Sequence, residues 1–355
     1  MNSEFYTLTI DEVIKETPDC VSITLVIPNS CKTQFEYVSG QYLTFKKSID
    51  GEELRRSYSL CSEPSSGKHK VAIKHVENGK FSNYANTLMK PGDTIECMVP
   101  SGNFKHIPEK TNQKNYVMFA AGSGITPIIS IVKSILSHEP ESRIVLFYGN
   151  KGFHSVIFRE ELESLKNLYL TRLNLIHIFS KENLGNAVQK GRIDKEKCKE
   201  LYNAFLASIH IHDIYICGPE EMTLGIREFM LEKNIDKRNI HLELFGTSLK
   251  KTEQKSTVNA ASFDSNIELI MDGDEFKFPL NSNHDSILEA AHKIGVDVPF
   301  ACKGGVCCTC KAKVLEGSVH MDVHYGLEQE EIDAGYVLTC QSHPTSEKVI
   351  ISFDN

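Results

Sequence analysis

The chain has 355 residues, enough for two or three domains, and its 41% hydrophobic and 24% charged residues exclude a largely disordered protein. The first 16 residues carry acidic side chains and no apolar core, so we expect no signal peptide there. Glycine and proline interrupt the longest apolar stretch, at 116–132, so we predict no membrane span. We therefore expect a cytoplasmic protein.

The net charge of −8 is unevenly distributed along the chain. Residues 264–355 contain 16 acidic and 6 basic residues, whereas the rest of the chain carries a small positive charge. This distribution argues against a nucleic-acid partner and suits docking to a basic protein face. An acidic surface that only keeps the protein in solution is the alternative.

Three kinds of sequence pattern follow one another along the chain. Short β-forming runs separated by turn residues fill 4–104 and predict an antiparallel β-barrel. Strands alternating with helices from about residue 115 predict a doubly wound parallel α/β domain. A polar stretch then leads to a predicted hairpin, a short helix and a group of cysteines. We place the domains at 1–108, 109–246 and 265–355, with a linker at 247–264.

Eleven cysteines in a chain without an export signal suggest thiol or metal chemistry rather than disulfides. The spacing is Cys302-x4-Cys307-x2-Cys310, with Cys340 after a further 29 residues. A 2Fe–2S cluster needs four thiolates, and this is the plant-type ferredoxin spacing. The Gly-Gly pair at 304–305 lets the loop wrap a cluster with little side-chain bulk.

Two other metal sites fit these cysteines less well. The adrenodoxin-type spacing would need a cysteine where Lys311 stands. A tetrahedral zinc site would leave Cys302 and the glycine pair unexplained, and its ligands would be Cys307, Cys310, Cys340 and His343. Cys308 is most simply an extra thiol that faces away from the cluster.

Two segments of the predicted barrel suit a flavin nucleotide. In the first, an arginine can neutralise a pyrophosphate, a tyrosine can stack along a flavin and a serine can donate near its ring. That segment comprises Arg56, Ser57, Tyr58 and Ser59. The second is a small turn rich in donors, formed by Gly79, Lys80, Phe81 and Ser82.

The segment 121–127 links a predicted strand to a helix, which places backbone N–H groups against a phosphate. It lacks the third glycine of the dinucleotide-binding fingerprint, so the alternative is a tight turn that binds no nucleotide. Cys217 ends a later strand at the edge where ligands bind, although a lone cysteine is often only a small buried side chain.

Together these segments resemble the ferredoxin–NADP reductase superfamily, in the branch with a C-terminal plant-type ferredoxin domain. The resemblance covers nearly the whole chain, and segments such as 147–162 and 321–341 are similar to the reductase subunits of phenylacetyl-CoA epoxidases as a group. It implies an antiparallel β-barrel FAD domain, a doubly wound α/β nucleotide domain and an α+β β-grasp ferredoxin domain.

The resemblance also implies roles for individual residues. The expected FAD contacts are Arg56, Ser57, Tyr58, Ser59, Lys80, Phe81 and Ser82. The expected nicotinamide nucleotide loop contains Gly122, Gly124, Thr126 and Pro127. The residues expected at the site of hydride transfer are Ser59, Cys217 and Glu243. Phe245 stands where plant-type reductases carry a tyrosine that stacks on the flavin. The expected cluster ligands are Cys302, Cys307, Cys310 and Cys340.

Nicotinamide gives two electrons as hydride, whereas an iron–sulfur cluster carries one, and a flavin converts between them. We therefore expect an enzyme that passes electrons from reduced nucleotide through FAD and the cluster to a protein acceptor. The expected acceptor is a diiron multicomponent oxygenase. A reductase for another diiron acceptor, such as a fatty-acyl desaturase or hydroxylase, and a non-enzymatic zinc module are the alternatives.

The nucleotide is predicted to be NADPH rather than NADH. The second strand of the α/β domain runs into residues 148–151 without the acid that binds a ribose hydroxyl and repels a 2′-phosphate. Ser180 and Lys181 follow the third strand, where NADP-dependent relatives often carry Ser-Arg. Lysine supplies the positive charge but not the planar guanidinium group with which arginine can donate two hydrogen bonds to one phosphate. A solvated loop lysine is the alternative.

Overall fold

The computed structural model describes residues 4–183, 185–245, 264–283 and 285–354. The predicted linker, 247–264, lies outside these ranges except for Asp264, which is already the first residue of a strand. The predicted boundaries at residues 108 and 246 stay predictions. Within the described ranges, none of the helices has the length and hydropathy needed to cross a membrane.

The first part of the chain forms an antiparallel barrel, here the barrel domain. Its described elements are β1 (Tyr6–Thr17), β2 (Cys20–Val26), β3 (Tyr42–Ile49), β4 (Glu52–Ser59), β5 (His69–Lys74), α1 (Lys80–Thr87) and β6 (Thr94–Cys97). The strand order is β4-β3-β6-β1-β2-β5, and a backbone bridge from Leu60 to Val71 brings the two outer strands together. Buried apolar side chains such as Ile23 and Phe45 fill the interior.

The β3–β4 hairpin fixes the register of the residues that later form the site. Its turn contains Asp50 and Gly51, whose φ angles of 53° and 78° are both positive, as a two-residue hairpin turn with the twist of the strands requires. In this register Tyr42 lies directly opposite Ser59. Opposite residues of an antiparallel pair share a face of the sheet, so these two side chains emerge together.

The second part is the α/β domain. Its described elements are β7 (Asn115–Ala121), α2 (Ile125–His138), β8 (Arg143–Asn150), α3 (Arg159–Leu168), β9 (Leu173–Phe179), α4 (Lys195–Leu201), β10 (Asp213–Cys217), α5 (Glu220–Glu232) and β11 (Ile240–Glu243). All neighbouring strands pair in parallel, in the order β11-β10-β7-β8-β9. The chain changes direction across the sheet between β7 and β10, and ligands bind at such a switch point.

One predicted helix of this domain begins later than expected. The sequence pattern predicts a helix over 155–166, but α3 begins only at Arg159. Val156, Ile157 and Phe158 precede it, and all three side chains are buried in one core. A helix cannot direct three consecutive side chains to the same side, so burial of this triplet delays the start of α3.

The C-terminal domain contains β12 (Asp264–Met271), β13 (Asp274–Asn281), α6 (Ile287–Lys293), β14 (Lys311–Glu316), β15 (Val319–Met321), α7 (Gln329–Asp333), β16 (Tyr336–Leu338), β17 (Ser342–Pro344) and β18 (Lys348–Ser352). Five of its described strands form a sheet in the order β13-β12-β18-β14-β16, with β12 and β18 parallel, and β15 and β17 form a separate two-stranded sheet. Ser286 and Glu289 form a capping box at the start of α6. This arrangement is the predicted β-grasp fold.

A buried carboxylate joins the barrel domain to the α/β domain. Glu139, which follows α2 and is fully buried, accepts hydrogen bonds from His106 Nε2 at 2.9 Å, Asn112 Nδ2 at 3.0 Å, Tyr116 Oη at 2.9 Å and Ser142 Oγ at 2.8 Å. Burial by itself would raise the pKa of Glu139, but these donors outweigh it and lower the pKa to about 2. The carboxylate therefore stays ionised and holds the two domains together.

We expect Glu139→Gln to lower the free energy of unfolding by about 3 kcal/mol at neutral pH, because an amide cannot accept from all of these donors. The folded pKa lies below the ordinary 4.5, so this contribution is present above pH 4.5 and lost as the pH falls toward 2. Urea unfolding followed by circular dichroism should show the difference from wild type narrowing below pH 4.5. The exposed Glu141→Gln is the matched control, and an equal stability of Glu139→Gln and wild type at neutral pH would contradict the assignment.

Candidate active site at the junction of three domains

A cavity of about 570 Å³ lies where the barrel domain, the α/β domain and the C-terminal domain meet. The barrel domain contributes Arg56, Ser57 and Ser59 from β4 and Tyr42 from β3 to its wall. The other two domains contribute the end of β11 with the residues after it, and the cysteine loop with the residues before it. These residues are Glu243, Leu244, Phe245, Phe300, Ala301, Cys302, Lys303, Gly304, Val306 and Cys307. Residues expected to bind flavin, nicotinamide and cluster therefore share one space.

Ser59, Cys217 and Glu243 come together as the resemblance implies, with Ser59 and Glu243 lining the cavity and Cys217 fully buried beside Glu243. Ser59 Oγ donates to Glu243 Oε2 at 3.3 Å, and Cys217 Sγ lies 3.9 Å from the same oxygen. Cys217 and Glu243 are register partners on the parallel strands β10 and β11, which explains their proximity. Desolvation raises the pKa of Glu243 to about 8, so its carboxyl group is protonated at neutral pH.

Two cations of the barrel domain flank a single carboxylate beside the cavity. Lys80 forms an ion pair with Glu52, and the charge of Arg56 also lowers the pKa of Glu52. Arg56 and Lys80 are both exposed. Two exposed cations on either side of one anion can instead bind a pyrophosphate, which carries more charge than a carboxylate.

The turn before α1 offers backbone groups rather than side chains to a phosphate. The Phe81 ring packs in the core, with its centroid 6.3 Å from that of Phe45 and 5.6 Å from that of Tyr58. Ser82 Oγ donates to Gly79 O and accepts from the Val76 N–H. Phe81 and Ser82 can therefore contact an anion only through the N–H groups at the helix start.

The predicted nucleotide loop lies at the switch point between β7 and β10. A Cβ atom on Gly124 would lie 2.1 Å from the carbonyl oxygen of Cys217, so only glycine fits there. Gly122 has a φ of +54°. Thr126 donates to the Ser123 carbonyl, and Pro127 is buried in α2, so these two side chains serve the helix.

Ser180 and Lys181 lie beside the end of β8. Their backbone N–H groups donate to the carbonyls of Asn150 and Lys151 at 3.0 and 2.9 Å, and the Lys181 side chain is exposed. Sequence reasoning missed Glu182, whose carboxylate accepts the N–H of Phe153 at 2.7 Å. The end of the second strand therefore has an acid beside it that comes from another loop.

The four predicted ligand thiols converge on one side of the cysteine loop. Cys307 Sγ lies 3.1 Å from Cys302 Sγ, and Cys340 is within hydrogen-bonding reach of both Cys302 and Cys310. The Gly304 N–H points at Cys302 Sγ from 3.3 Å. The donor set fits a 2Fe–2S cluster.

The zinc alternative has less support from the geometry. His343 Nε2 lies 3.2 Å from Asp322 Oδ2 on the small β15–β17 sheet. Within the described ranges, no three His, Cys, Asp or Glu side chains have the geometry of a single-ion site. Cys308 lies apart from the ligand thiols, with its Sγ 3.4 Å from Tyr42 Oη and 3.6 Å from Ser101 Oγ.

Comparisons with known proteins agree with this arrangement. Family models match an oxidoreductase FAD-binding domain over residues 7–106, an oxidoreductase NAD-binding domain over 118–228 and a 2Fe-2S iron-sulfur cluster binding domain over 269–345. The chain is 43% identical over 351 residues to one of the subunits of 1,2-phenylacetyl-CoA epoxidase from Escherichia coli (strain K12), covering 99% of this chain and 98% of that protein. The chain belongs to this family of flavin and iron–sulfur reductases.

Other relatives of the reductase share its full length. It is 31% identical to the ferredoxin reductase component of 3-ketosteroid-9-alpha-monooxygenase from Rhodococcus rhodochrous, over 98% of this chain and 96% of that protein. The solved structure of phthalate dioxygenase reductase superposes with a TM-score of 0.59 over 98% of both chains, at 22% identity, and shows the same fold.

These findings confirm the predicted superfamily, fold class and type of activity. The reductase has FAD-binding, NAD-binding and 2Fe–2S domains and is an NAD(P)H-dependent electron-transfer enzyme. The roles of individual residues within these domains stay predictions.

Sequence reasoning also missed Arg55, the neighbour of the predicted FAD arginine. Arg55 is only 4% exposed and donates from Nη2 to Asp297 Oδ1 of the C-terminal domain at 2.7 Å. Its guanidinium also lies over the Phe300 ring, 4.5 Å from the centroid. Successive residues of a strand point to opposite faces, so Arg55 and Arg56 of β4 face different ways. The sequence pattern of this strand could therefore have shown that the two arginines have different surroundings.

We expect replacement of any single predicted ligand by alanine to abolish the cluster absorption and leave flavin bound, because the thiols belong to a different domain from the flavin motifs. The four positions are Cys302, Cys307, Cys310 and Cys340. Cys308→Ala is the matched control and should keep the full cluster spectrum. Loss of the cluster in Cys308→Ala together with its retention in Cys307→Ala would show that the ligand assignment is wrong.

Proposed function

We propose that the reductase takes hydride from NADPH and delivers single electrons, through FAD and a 2Fe–2S cluster, to a diiron oxygenase of the phenylacetyl-CoA epoxidase type. The observation that carries the proposal is the shared cavity. Ser59 and Glu243 on one side and Cys302 and Cys307 on another line the same space. A nicotinamide, a flavin and a cluster held by these residues would be immediate neighbours.

The residues of the barrel domain fit FAD. Arg56, Lys80 and the N–H groups at the start of α1 would hold its pyrophosphate, and Ser57, Tyr58 and Ser59 would lie along the flavin. A bound flavin supplies the conversion between two-electron hydride transfer and one-electron transfer. Phe245, which is 44% exposed at the cavity, offers an aromatic face that can stack on the flavin.

The remaining site residues act on the nicotinamide ring. Gly122 and Gly124 would admit the nucleotide at the switch point, close to the end of β10. Ser59 Oγ holds the Glu243 carboxyl group in place, and Cys217 fills the space beside it. Hydride loss leaves a positive charge on the nicotinamide, and a carboxylate at this position would stabilise that charge.

We expect Glu243→Gln to remove a pH dependence from flavin reduction. Because desolvation raises the pKa of Glu243 to about 8, the group is neutral below this pH and ionised above it. The wild-type rate of flavin bleaching by NADPH in anaerobic stopped flow should rise about tenfold as the pH passes through this value. The rate in Glu243→Gln should be low and flat with pH. Glu232→Gln, exposed at the end of α5, is the control, and a persisting pH dependence in Glu243→Gln would contradict the assignment.

The preference for NADPH is supported by the charges around the ends of β8 and β9. Lys181 is exposed there, and Ser180 lies next to it. The neighbouring acid, Glu182, already accepts the Phe153 N–H through its carboxylate. Glu182 therefore secures the loop after β8, and Lys181 is the charge that would contact a 2′-phosphate.

We expect Lys181→Ala to lower kcat/KM for NADPH about tenfold and to leave kcat/KM for NADH unchanged, because only NADPH carries the phosphate. Steady-state kinetics with an artificial electron acceptor measure both values. Lys199→Ala, exposed on α4, is the control for loss of a surface charge. An equal fall for both nucleotides, or a wild-type preference for NADH, would refute this part of the proposal.

The choice of acceptor is supported by the 43% identity to one component of an epoxidase over the whole chain and by the acidic C-terminal domain. The compartment we propose is the cytoplasm, since eleven cysteines, four of them cluster ligands in this proposal, suit reducing conditions.

Reconstitution with purified acceptors tests the choice. We expect NADPH consumption coupled to epoxide formation when the reductase is mixed with phenylacetyl-CoA epoxidase components and their substrate. A fatty-acyl desaturase and a diiron hydroxylase, each with its own substrate, serve as comparison acceptors. Coupled product with one of these and none with the epoxidase would favour the alternative acceptor.

A further inference from the structure

Tyr42 connects the barrel domain to the cysteine loop. Its Oη accepts the backbone N–H of Cys308 at 3.3 Å and lies 3.1 Å from Thr309 Oγ1. Cys308 and Thr309 stand between two of the proposed ligands, Cys307 and Cys310. A single hydroxyl group of one domain therefore contacts the backbone of the loop that would hold the cluster in another.

The same tyrosine belongs to the wall of the cavity. Tyr42 is the register partner of Ser59 and lines the cavity together with Ser59 and Cys307. The ring is 5% exposed, and Gly102 packs so closely against it that a Cβ at that position would lie 3.0 Å from the ring atom Cδ1. A confined ring can hold its hydroxyl at one place without losing much side-chain entropy on contact.

We propose that Tyr42 is a positioning residue that holds the cysteine loop against the flavin cavity, at the separation that electron exchange between flavin and cluster requires. The proposal rests on the proposed function, which places FAD and the cluster on the two sides of this contact. Removal of the hydroxyl leaves the buried Cys308 N–H without its acceptor and frees the loop to move.

Other contacts between the barrel domain and the C-terminal domain allow the effect of Tyr42 to be separated from the effect of weakening the domain interface as a whole. Arg55 pairs with Asp297 at 2.7 Å, and Asn103 Nδ2 donates to Glu331 Oε2 at 2.7 Å. Neither contact involves the segment between Cys307 and Cys310. Loss of the Arg55–Asp297 pair weakens the contact between the barrel domain and the C-terminal domain. It leaves the Tyr42 hydroxyl in place against Cys308.

The experiment compares Tyr42→Phe with Tyr37→Phe and Asp297→Asn in the full-length protein loaded with FAD and cluster. Tyr37 loses a phenolic hydroxyl from the same barrel, where it contacts Ser62 and Lys68, distant in sequence from the cysteine loop. Anaerobic stopped flow with NADPH separates bleaching of the flavin from bleaching of the cluster. Hydrogen exchange of the peptide that contains Cys308 reports the contact without any turnover.

We expect Tyr42→Phe to retain its cluster, to reduce flavin at the wild-type rate, to reduce the cluster about tenfold more slowly and to exchange the Cys308 amide faster. Tyr37→Phe should behave as wild type, and Asp297→Asn should change cluster reduction less than Tyr42→Phe. Wild-type cluster reduction in Tyr42→Phe would overturn the inference, as would loss of the cluster from this variant or an equal slowing in Asp297→Asn. Failure of the wild-type protein to reduce its own cluster would instead refute the proposed function.

Discussion

The register of the β3–β4 hairpin is the constraint on which the whole site depends. It sets Tyr42 opposite Ser59, and each of the two side chains contacts a different domain. Ser59 donates to Glu243 of the α/β domain, whereas Tyr42 contacts Cys308 of the C-terminal domain. A slip of one residue would turn both side chains to the other face of the sheet and remove both of these contacts between domains. The positive φ angles in the hairpin turn therefore matter far from the turn itself.

The site combines two electrostatic environments that suit two halves of one ligand. Near the opening, Arg56 and Lys80 are exposed and can bind charged phosphate without the cost of burying a cation. Deeper in, the desolvated carboxyl group of Glu243 is neutral at ordinary pH, and burial also raises the pKa of Cys217. A polar nucleotide tail and an uncharged flavin ring would each meet a compatible surface.

Features that follow from a recognisable sequence pattern could be predicted from the sequence, whereas individual side-chain contacts between distant segments could not. The cysteine spacing, the alternation of strands and helices and the glycines before α2 form recognisable patterns in the sequence, so one sequence sufficed for them. Tyr42, Arg55 and Glu182 were missed because no spacing or motif links them to their partners, which lie 29 to 267 residues away along the chain. The late start of α3 was missed for a related reason, since tertiary burial of three apolar residues outweighed their helical pattern.

The burial of Arg55 has a consequence for the modular design of this enzyme. Its guanidinium is held by two domains at once, because Glu53 of the barrel domain and Asp297 and Phe300 of the C-terminal domain all contact it. A flavin and nucleotide unit made as a separate polypeptide would expose more of this arginine to water, and a detached ferredoxin domain would leave Asp297 and Phe300 without this partner. The contacts of Arg55 with Asp297 and Phe300 therefore tie the flavin and nucleotide unit to the ferredoxin unit, and separating the two would remove a charged hydrogen bond from both.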